Sequence, residues 1–286
     1  MSGGAGNLPG AIGIFDSGIG GLSVALAVRK VMPAEHLIYV ADTAYAPYGD
    51  KTDDFIYQRM SLITQHLIHA GVKAVVVACN TATTAAISKL RENFALPIIG
   101  VEPGVKPAVL ASKSKVVGIL ATPRTLLTPA FASLTQRYAD TATILLQPCP
   151  AFVPLIEALQ FDTAQMRQAI QSAIQPLLIQ GADTLVLGCT HYNFIADIVA
   201  DIAGPDVTVI RTENAVAQQL SRKLAECQLS TDETRAATEQ FCSSGDLNLF
   251  SQQLRRLWQR EGPTSTNPGV FALAGSCVAQ KAQADI

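Results

Sequence analysis

Two cysteines in this sequence stand where predicted strands end. Cys79 directly follows the apolar run 75–78, and Cys189 directly follows the apolar run 185–188. Ligands of open α/β sheets bind at the carboxyl ends of strands, so both thiols are predicted to lie at a binding site. Two opposed thiols, one from each half of the chain, could remove a proton from one face of a carbon and return one to the other.

The residues that follow each thiol favour catalysis over packing. A single cysteine at a strand end is more often a small buried hydrophobe. Here Asn80 and Thr81 follow the first thiol, and Thr190 and His191 follow the second. A free thiol is a weak base at neutral pH, so it needs an activator such as a helix N-terminus or a histidine. The other cysteines lack such neighbours and are predicted to be packing residues: Cys149, Cys227, Cys242 and Cys277.

A glycine-rich turn, Phe-Asp-Ser-Gly-Ile-Gly-Gly-Leu at 15–22, follows the first predicted strand. Dinucleotide binding requires G-x-G-x-x-G, whereas this turn reads G-x-G-G, and Asp16 would repel a phosphate. We therefore interpret the turn as a helix N-terminus whose amides, together with Ser17, bind a carboxylate. The alternative is an ordinary tight turn in which Asp16 caps the helix.

A short loop at 45–50, after the second predicted strand and Asp42, combines aromatic, proline and glycine residues. Such a loop predicts a shaped wall with exposed backbone N–H donors, for which Tyr48 and Gly49 are the candidates. Pro47 and Asp50 are more typical of a structural turn.

The composition favours a small-molecule ligand. The chain has 286 residues and a formal net charge of -2, which gives no electrostatic signature of nucleic acid or membrane binding. Its six cysteines are irregularly spaced without a CxxC, so they predict neither a disulfide framework nor a zinc site. Residues 1–9 do not resemble a signal peptide, and no run of about 18 apolar residues occurs. We expect a cytoplasmic protein with reduced thiols.

Short apolar runs alternate with helical patterns, which predicts an α/β fold with mostly parallel sheets. The predicted strands are 11–15, 37–41, 74–78, 97–101, 116–120, 143–147, 184–188 and 207–211. The predicted helices are 20–32, 53–70, 81–93, 125–138, 162–180, 192–203, 213–227 and 247–260. The run 270–274 is expected to return as an edge strand. A weak similarity between 12–17 and 117–122 predicts two similar lobes, 1–104 plus 213–286 and 105–212.

Four segments together resemble the glutamate racemases, a family of the cofactor-independent aspartate/glutamate racemases. The segments are 15–24, 41–44 with 47–49, 78–82 and 188–192, and the similarity includes 97–101 and 117–122. The resemblance implies two pseudo-symmetric α/β domains with the active site in the cleft between them. It further implies glutamate as the substrate, no cofactor or metal, and a role in supplying D-glutamate for peptidoglycan.

The resemblance also implies roles for individual residues. Cys79 and Cys189 would exchange protons with the α-carbon, the first acting on D-glutamate and the second on L-glutamate, assisted by Asp16 and His191. The implied substrate-binding residues are Asp16, Ser17, Tyr48, Gly49, Asn80, Thr81, Thr190 and His191. Asp42 matches a further carboxylate of the family, whose role the sequence leaves open.

The chain departs from the family pattern at two places. The family commonly has proline where this chain has Asn193, and often an Asp-Ser/Thr-Gly run where this chain has Arg211, Thr212 and Glu213. The first departure is expected to affect only helix entry, and the second leaves that edge of the pocket undefined.

Other functions remain open at this stage. They are a racemase of aspartate or a related small acid, and a non-catalytic amino-acid-binding sensor on the same fold. A thiol redox protein is disfavoured because no CxxC occurs. The sequence does not decide whether the chain forms a homodimer, or whether a cell-wall precursor activates it, as some members of the family require.

Overall fold

The computed structural model describes residues 8–231, 237–261 and 270–273. Within them the strands are β1 (Ile12–Asp16), β2 (Leu37–Ala41), β3 (Ala74–Val77), β4 (Ile98–Gly100), β5 (Val116–Ala121), β6 (Thr143–Pro148), β7 (Thr184–Leu187), β8 (Thr208–Ile210), β9 (Glu239–Ser243) and β10 (Val270–Ala272). The predicted strands therefore exist, with ends that differ by at most two residues. Cys277 lies outside the described residues.

The α-helices of the described residues are α1 (Leu22–Val31), α2 (Asp53–His69), α3 (Asn80–Asn93), α4 (Val105–Ala111), α5 (Pro123–Leu126), α6 (Pro129–Gln136), α7 (Phe152–Glu157), α8 (Ala164–Ile179), α9 (Ala196–Ala203), α10 (Glu213–Glu226) and α11 (Leu247–Glu261). Short 3₁₀ helices cover Thr43–Tyr45, Tyr48–Asp50 and Thr190–Ile195. None of the helices described is both long enough and apolar enough to cross a membrane.

The described strands form two sheets in which every pairing is parallel. The first sheet has the order β10-β9-β2-β1-β3-β4, and the second has the order β6-β5-β7-β8. Strands β1, β2, β3 and β7 are buried along their whole length, which explains why they appear in the sequence as continuous apolar runs.

Several helices differ from the sequence prediction. The helix predicted at 125–138 is two helices, because Thr128 accepts a hydrogen bond from the Phe131 amide and starts α6, with a proline at its first position. The helix predicted at 192–203 begins at Ala196, and a 3₁₀ helix precedes it. Helices α4 and α7 were not predicted, since both are short and α4 lies in a segment that resembles a turn.

Strand β9 was also not predicted, because Glu239, Gln240 and Ser243 interrupt its apolar residues. It pairs with β2, and β10 pairs with β9 at the edge of the first sheet, as predicted for the run 270–274. The ring of Phe241 is buried, with its centroid 5.0 Å from Trp258 of α11 and 6.3 Å from Tyr39 of β2. Strands β9 and β10 and helix α11 thus complete the core of the first sheet.

We expect Phe241→Ala to destabilise the protein by about 3–5 kcal/mol, because it opens a cavity between the rings of Tyr39 and Trp258. Urea unfolding followed by circular dichroism measures the change. The control is Leu249→Ala on α11, a half-exposed side chain whose removal should cost no more than about 0.5 kcal/mol. Equal small effects of the two substitutions would contradict the role of β9 in the core.

Candidate active site

A cavity of about 320 Å³ lies where strands of the two sheets end. The first sheet contributes residues that follow β1, β2 and β3, and the second contributes residues that follow β5, β6 and β7. The predicted residues that line it are Ser17, Tyr48, Gly49, Cys79, Asn80, Thr81, Cys189, Thr190 and His191. The two thiols that the sequence places far apart therefore share one cavity.

Asp16 is the one predicted site residue that does not line this cavity. Its carboxylate is fully buried and accepts hydrogen bonds from the amides of Ser17, at 2.8 Å, and Gly21, at 2.7 Å. Burial raises the pKa of Asp16, although the positive charge of His191, the two amides and the Cys79 thiol oppose the rise. The carboxylate therefore both holds the glycine-rich turn and contacts a thiol of the cavity.

Cys79 is the N-cap residue of α3. Its sulfur accepts a hydrogen bond from the Ala82 amide at 3.5 Å and lies 3.7 Å from the Ser17 hydroxyl. Burial, followed by the negative charge of Asp16, raises the pKa of Cys79 well above its ordinary value, and these hydrogen bonds only partly oppose the rise. This thiol therefore keeps its proton, which suits a proton donor.

Cys189 belongs to a different arrangement. Its sulfur lies 3.7 Å from Nδ1 of His191, and Nε2 of the same ring lies 2.7 Å from Oε1 of Glu157, at the end of α7. Burial lowers the pKa of His191, but the hydrogen bonds and charges of Cys189 and Glu157 outweigh it and hold that pKa well above its ordinary value. Burial likewise raises the pKa of Glu157, and the His191 contact reverses the effect and lowers it. The imidazole is thus a cation held beside a sulfur.

The glycines of the first turn allow this pair to approach. A Cβ on Gly18 would lie 2.0 Å from Oε1 of Glu157, and one on Gly20 would lie 2.2 Å from Nδ1 of His191. The Ile19 amide between them donates a hydrogen bond to Glu157 at 3.0 Å. The missing side chains of Gly18 and Gly20 therefore allow the carboxylate of Glu157 and the imidazole of His191 to lie close to the backbone of this turn.

Asp42, whose role the sequence left open, supports the wall of the cavity. Its two carboxylate oxygens accept hydrogen bonds from Arg59 at 2.8 and 2.9 Å, and Oδ2 also accepts one from the Tyr48 hydroxyl at 2.6 Å. Asp42 is fully buried and does not line the cavity itself. The ion pair with Arg59 therefore fixes the ring of Tyr48 in place.

Several residues of the site were not predicted from the sequence. Glu157 was missed because α7 was not predicted, and Thr122 and Arg124 were missed because no cysteine or histidine marks the segment that follows β5. Cys149, predicted to be a packing residue, is buried but also lines the cavity, and burial raises its pKa to about 12. Cys149 follows β6 as Cys79 and Cys189 follow their strands, and this position could have identified it.

The prediction that the remaining cysteines are packing residues is confirmed for the buried Cys242 and is wrong for Cys227, which is exposed.

Polar contacts join the two sides of the cavity. The hydroxyl of Thr81 lies 3.2 Å from that of Thr122 and 3.3 Å from that of Thr125. At the mouth, Arg124 of α5 pairs with Asp53 of α2 at 2.5 Å. The two halves of the site therefore meet through hydroxyl groups inside and an ion pair at the surface.

The chain belongs to the Asp/Glu/hydantoin racemase family, whose model matches residues 23–220. It is 46% identical over 261 residues to a protein of Methylococcus capsulatus named glutamate racemase, an alignment that covers 91% of this chain and 96% of that one. The predicted family and α/β fold are thereby confirmed.

Solved structures show the same fold. A glutamate racemase isoform from Bacillus anthracis matches with a TM-score of 0.83 at 28% identity, covering 93% of this chain and 98% of that one. Escherichia coli glutamate racemase, in complex with L-glutamate and the activator UDP-MurNAc-Ala, matches with a TM-score of 0.81 at 29% identity. That match covers 92% of this chain and 98% of the Escherichia coli chain.

We expect Glu157→Gln to lower the pKa of His191, because a neutral amide stabilises the imidazolium less than a carboxylate does. Titration of the His191 ring by NMR measures the shift, with the exposed Glu226→Gln of α10 as the matched control.

The same substitution should change how stability depends on pH. A raised histidine pKa stabilises the fold fully below the unfolded value of about 6.5, and this contribution is lost as the pH rises through the folded value. The lowered Glu157 pKa stabilises the fold above about pH 4.3. The stability difference from the wild type should therefore be largest between about pH 4.3 and 6.5 and decrease above it. An unchanged His191 titration would contradict this pairing.

Proposed function

We propose that this protein is a glutamate racemase that interconverts L-glutamate and D-glutamate, with Cys79 and Cys189 as the two bases. One observation carries the proposal: the two thiols line a single cavity from two different sheets, and each has its own proton partner. Asp16 accompanies Cys79, and His191 accompanies Cys189. Membership of the racemase family and the names of its relatives support glutamate as the substrate.

In the direction from L- to D-glutamate, the sulfur of Cys189 removes the α-proton as a thiolate, stabilised by the imidazolium of His191. The Cys79 thiol gives its proton to the opposite face of the α-carbon. One proton enters Cys189 and one leaves Cys79, so the number of protons in the site is unchanged. The reverse reaction begins from the resulting state, in which Cys79 is the thiolate.

The carbanion needs stabilisation, because the α-proton of an amino acid is weakly acidic. We assign the binding of the α-carboxylate to hydroxyl and amide donors at the strand ends: Ser17, Asn80, Thr81 and Thr190. Preorganised donors in a cavity that excludes water stabilise developing negative charge more strongly than water does. Tyr48 and Gly49 form the wall that Asp42 supports, and we assign them to the substrate as well.

We propose two lobes, at 1–104 plus 213–286 and at 105–212. The sheets support this division, because strands β1 to β4 share one sheet with β9 and β10 and strands β5 to β8 share the other. Residues 1–7, 232–236, 262–269 and 274–286 of this division lie outside the described residues. The cavity then lies between the lobes, and a cytoplasmic enzyme supplying D-glutamate for peptidoglycan is the role we infer.

Two further properties are proposed from the family. The Escherichia coli structure contains UDP-MurNAc-Ala as an activator, and initial rates with and without that molecule test whether a cell-wall precursor activates this chain. Sedimentation equilibrium tests for a homodimer.

We expect Cys79→Ser and Cys189→Ser each to reduce racemisation by about 10²–10⁴-fold, because a hydroxyl is far less acidic than a thiol. The similar size of serine should spare the fold. Circular dichroism of an L-glutamate solution follows the reaction, with L-aspartate as the comparison substrate. The matched control is Cys227→Ser, an exposed cysteine whose replacement should leave the rate unchanged. Near wild-type turnover in either active-site variant would exclude the two-base mechanism.

Asp16→Asn and His191→Asn should act asymmetrically. His191→Asn is expected to slow proton removal by Cys189, and Asp16→Asn the step at Cys79, because each residue serves the thiol that it contacts. Both directions share one equilibrium constant, so the difference should appear in kinetic isotope effects. Substrates deuterated at the α-carbon should give effects that shift in opposite senses in the two variants. Identical shifts would mean that both residues only position the substrate.

A further inference from the structure

A glutamine of the last described helix, Gln253 of α11, is buried among apolar side chains. Gln253 is 2% exposed, and its buried neighbours on the same face of the helix are Phe250, Leu254 and Leu257. A primary amide is unfavourable in such a place unless its polar atoms have hydrogen-bond partners. The partners of Gln253 therefore indicate why a polar residue stands there.

The amide nitrogen of Gln253 makes both of its hydrogen bonds to one residue. Nε2 donates to the backbone carbonyl of Glu157 at 2.8 Å and to Oε2 of the same residue at 3.3 Å. Glu157 is the last residue of α7, and the final carbonyls of a helix have no partner within it. An amide with two N–H donors thus holds both the main chain and the side chain of Glu157.

These hydrogen bonds fix the direction of the Glu157 carboxylate. Oε1 accepts a hydrogen bond from the Ile19 amide at 3.0 Å and lies 2.7 Å from Nε2 of His191. Within the described part of the chain, Gln253 is the residue that hydrogen-bonds to Oε2. With Oε2 held from α11, Oε1 is the oxygen that faces the imidazole.

Other titratable groups surround this pair without making the same contact. The charge of Asp16 acts on His191, and Cys189 contacts the imidazole at its other nitrogen. Tyr39 is within range of the Glu157 charge, but its hydroxyl donates to a backbone carbonyl of the glycine-rich turn at 2.7 Å. The neutral amide from α11 is therefore a contact that can be removed without changing the charge of the site.

The contact also joins parts of the fold that belong to different sheets. Helix α11 packs on the first sheet, where Trp258 contacts the ring of Phe241. Glu157 lies on the helix that follows β6 of the second sheet. A residue of α11 thus reaches the carboxylate that holds the imidazole beside Cys189.

We propose that Gln253 is a positioning residue for proton transfer at Cys189, acting through Glu157 and His191. Gln253 does not line the cavity that contains the thiols, so it does not contact the substrate. It keeps the carboxylate ionised and directed at the imidazole, and the imidazolium in turn stabilises the Cys189 thiolate. The effect on turnover rests on the proposed function, whereas the effect on the imidazole does not.

Gln253→Met tests the proposal, because methionine is a flexible side chain of similar length without a donor. We expect the pKa of His191 to fall by about 0.5–1 unit, measured by NMR titration of the ring, because the carboxylate is less well held. The kcat for L-glutamate should fall by about threefold to tenfold with KM nearly unchanged. The matched control is Gln252→Met, the neighbouring exposed glutamine, which should change none of these values.

A second variant removes the contact in another way. Gln253→Asn keeps an amide but is one methylene shorter, so it does not reach both groups of Glu157. It should lower the pKa of His191 in the same direction as Gln253→Met. Urea unfolding of both variants shows whether the fold is retained, and either folded variant suffices for the titration.

A double-substitution cycle shows whether Gln253 acts through Glu157. In the Glu157→Gln background, Gln253→Met should lower the pKa of His191 by much less than it does in the wild type, because the carboxylate through which it acts is absent. Fully additive shifts would mean that Gln253 acts by another route and would overturn the proposal.

Two further results would also overturn it. They are a His191 titration that neither Gln253 variant changes, and equal effects of Gln252→Met and Gln253→Met. A wild-type protein that does not racemise glutamate would instead contradict the proposed function, and the titration of His191 would still decide whether Gln253 acts on the imidazole.

Discussion

The contact of His191 and Glu157 with the glycine-rich turn is the interaction on which the site depends. The carboxylate and the imidazole lie on helices that follow strands β6 and β7 of the second sheet, and the turn that contacts them follows the first strand of the first sheet. Only residues without a Cβ at Gly18 and Gly20 permit this distance. Because the turn is also held by Asp16, one short segment organises the surroundings of both thiols.

The two thiols are equivalent in position but not in chemistry. Each follows a buried central strand of a parallel sheet, which places both at the edge where ligands bind. Cys79 is accompanied by a buried carboxylate and Cys189 by a cationic imidazole, so one sulfur favours the thiol and the other has a stabilising charge for the thiolate. Similar backbones thus supply a proton donor and a proton acceptor to one cavity.

Much of this arrangement could be predicted from the sequence. The central strands were found because they are continuous apolar runs, and the thiols because they end those runs. Strand β9 was missed because its sequence does not form a continuous apolar run. It is buried because it pairs with β2 and because Phe241 packs on Trp258 of α11. Glu157 was missed because a one-turn helix such as α7 has too few residues to show a helical period.

The role of Asp42 could not be predicted for a related reason. The role of Asp42 depends on Arg59, which lies in the middle of α2. Arg59 reaches the Asp42 carboxylate only when α2 packs on the sheet. The two departures from the family pattern were likewise visible in the sequence only as separate positions. The tertiary structure alone shows that Asn193 and Glu213 line the same cavity, between α1 and the start of α10.

Burial of the sulfur atoms also affects their chemical durability. Alkylating agents and peroxides attack thiolates rather than thiols, and they must reach the sulfur. Cys79 is 6% exposed and has a raised pKa, and Cys149, which lines the same cavity, has a pKa of about 12, so in the resting enzyme both are poor targets. The environment that keeps a proton ready for the substrate therefore also protects the enzyme from oxidative inactivation at Cys79.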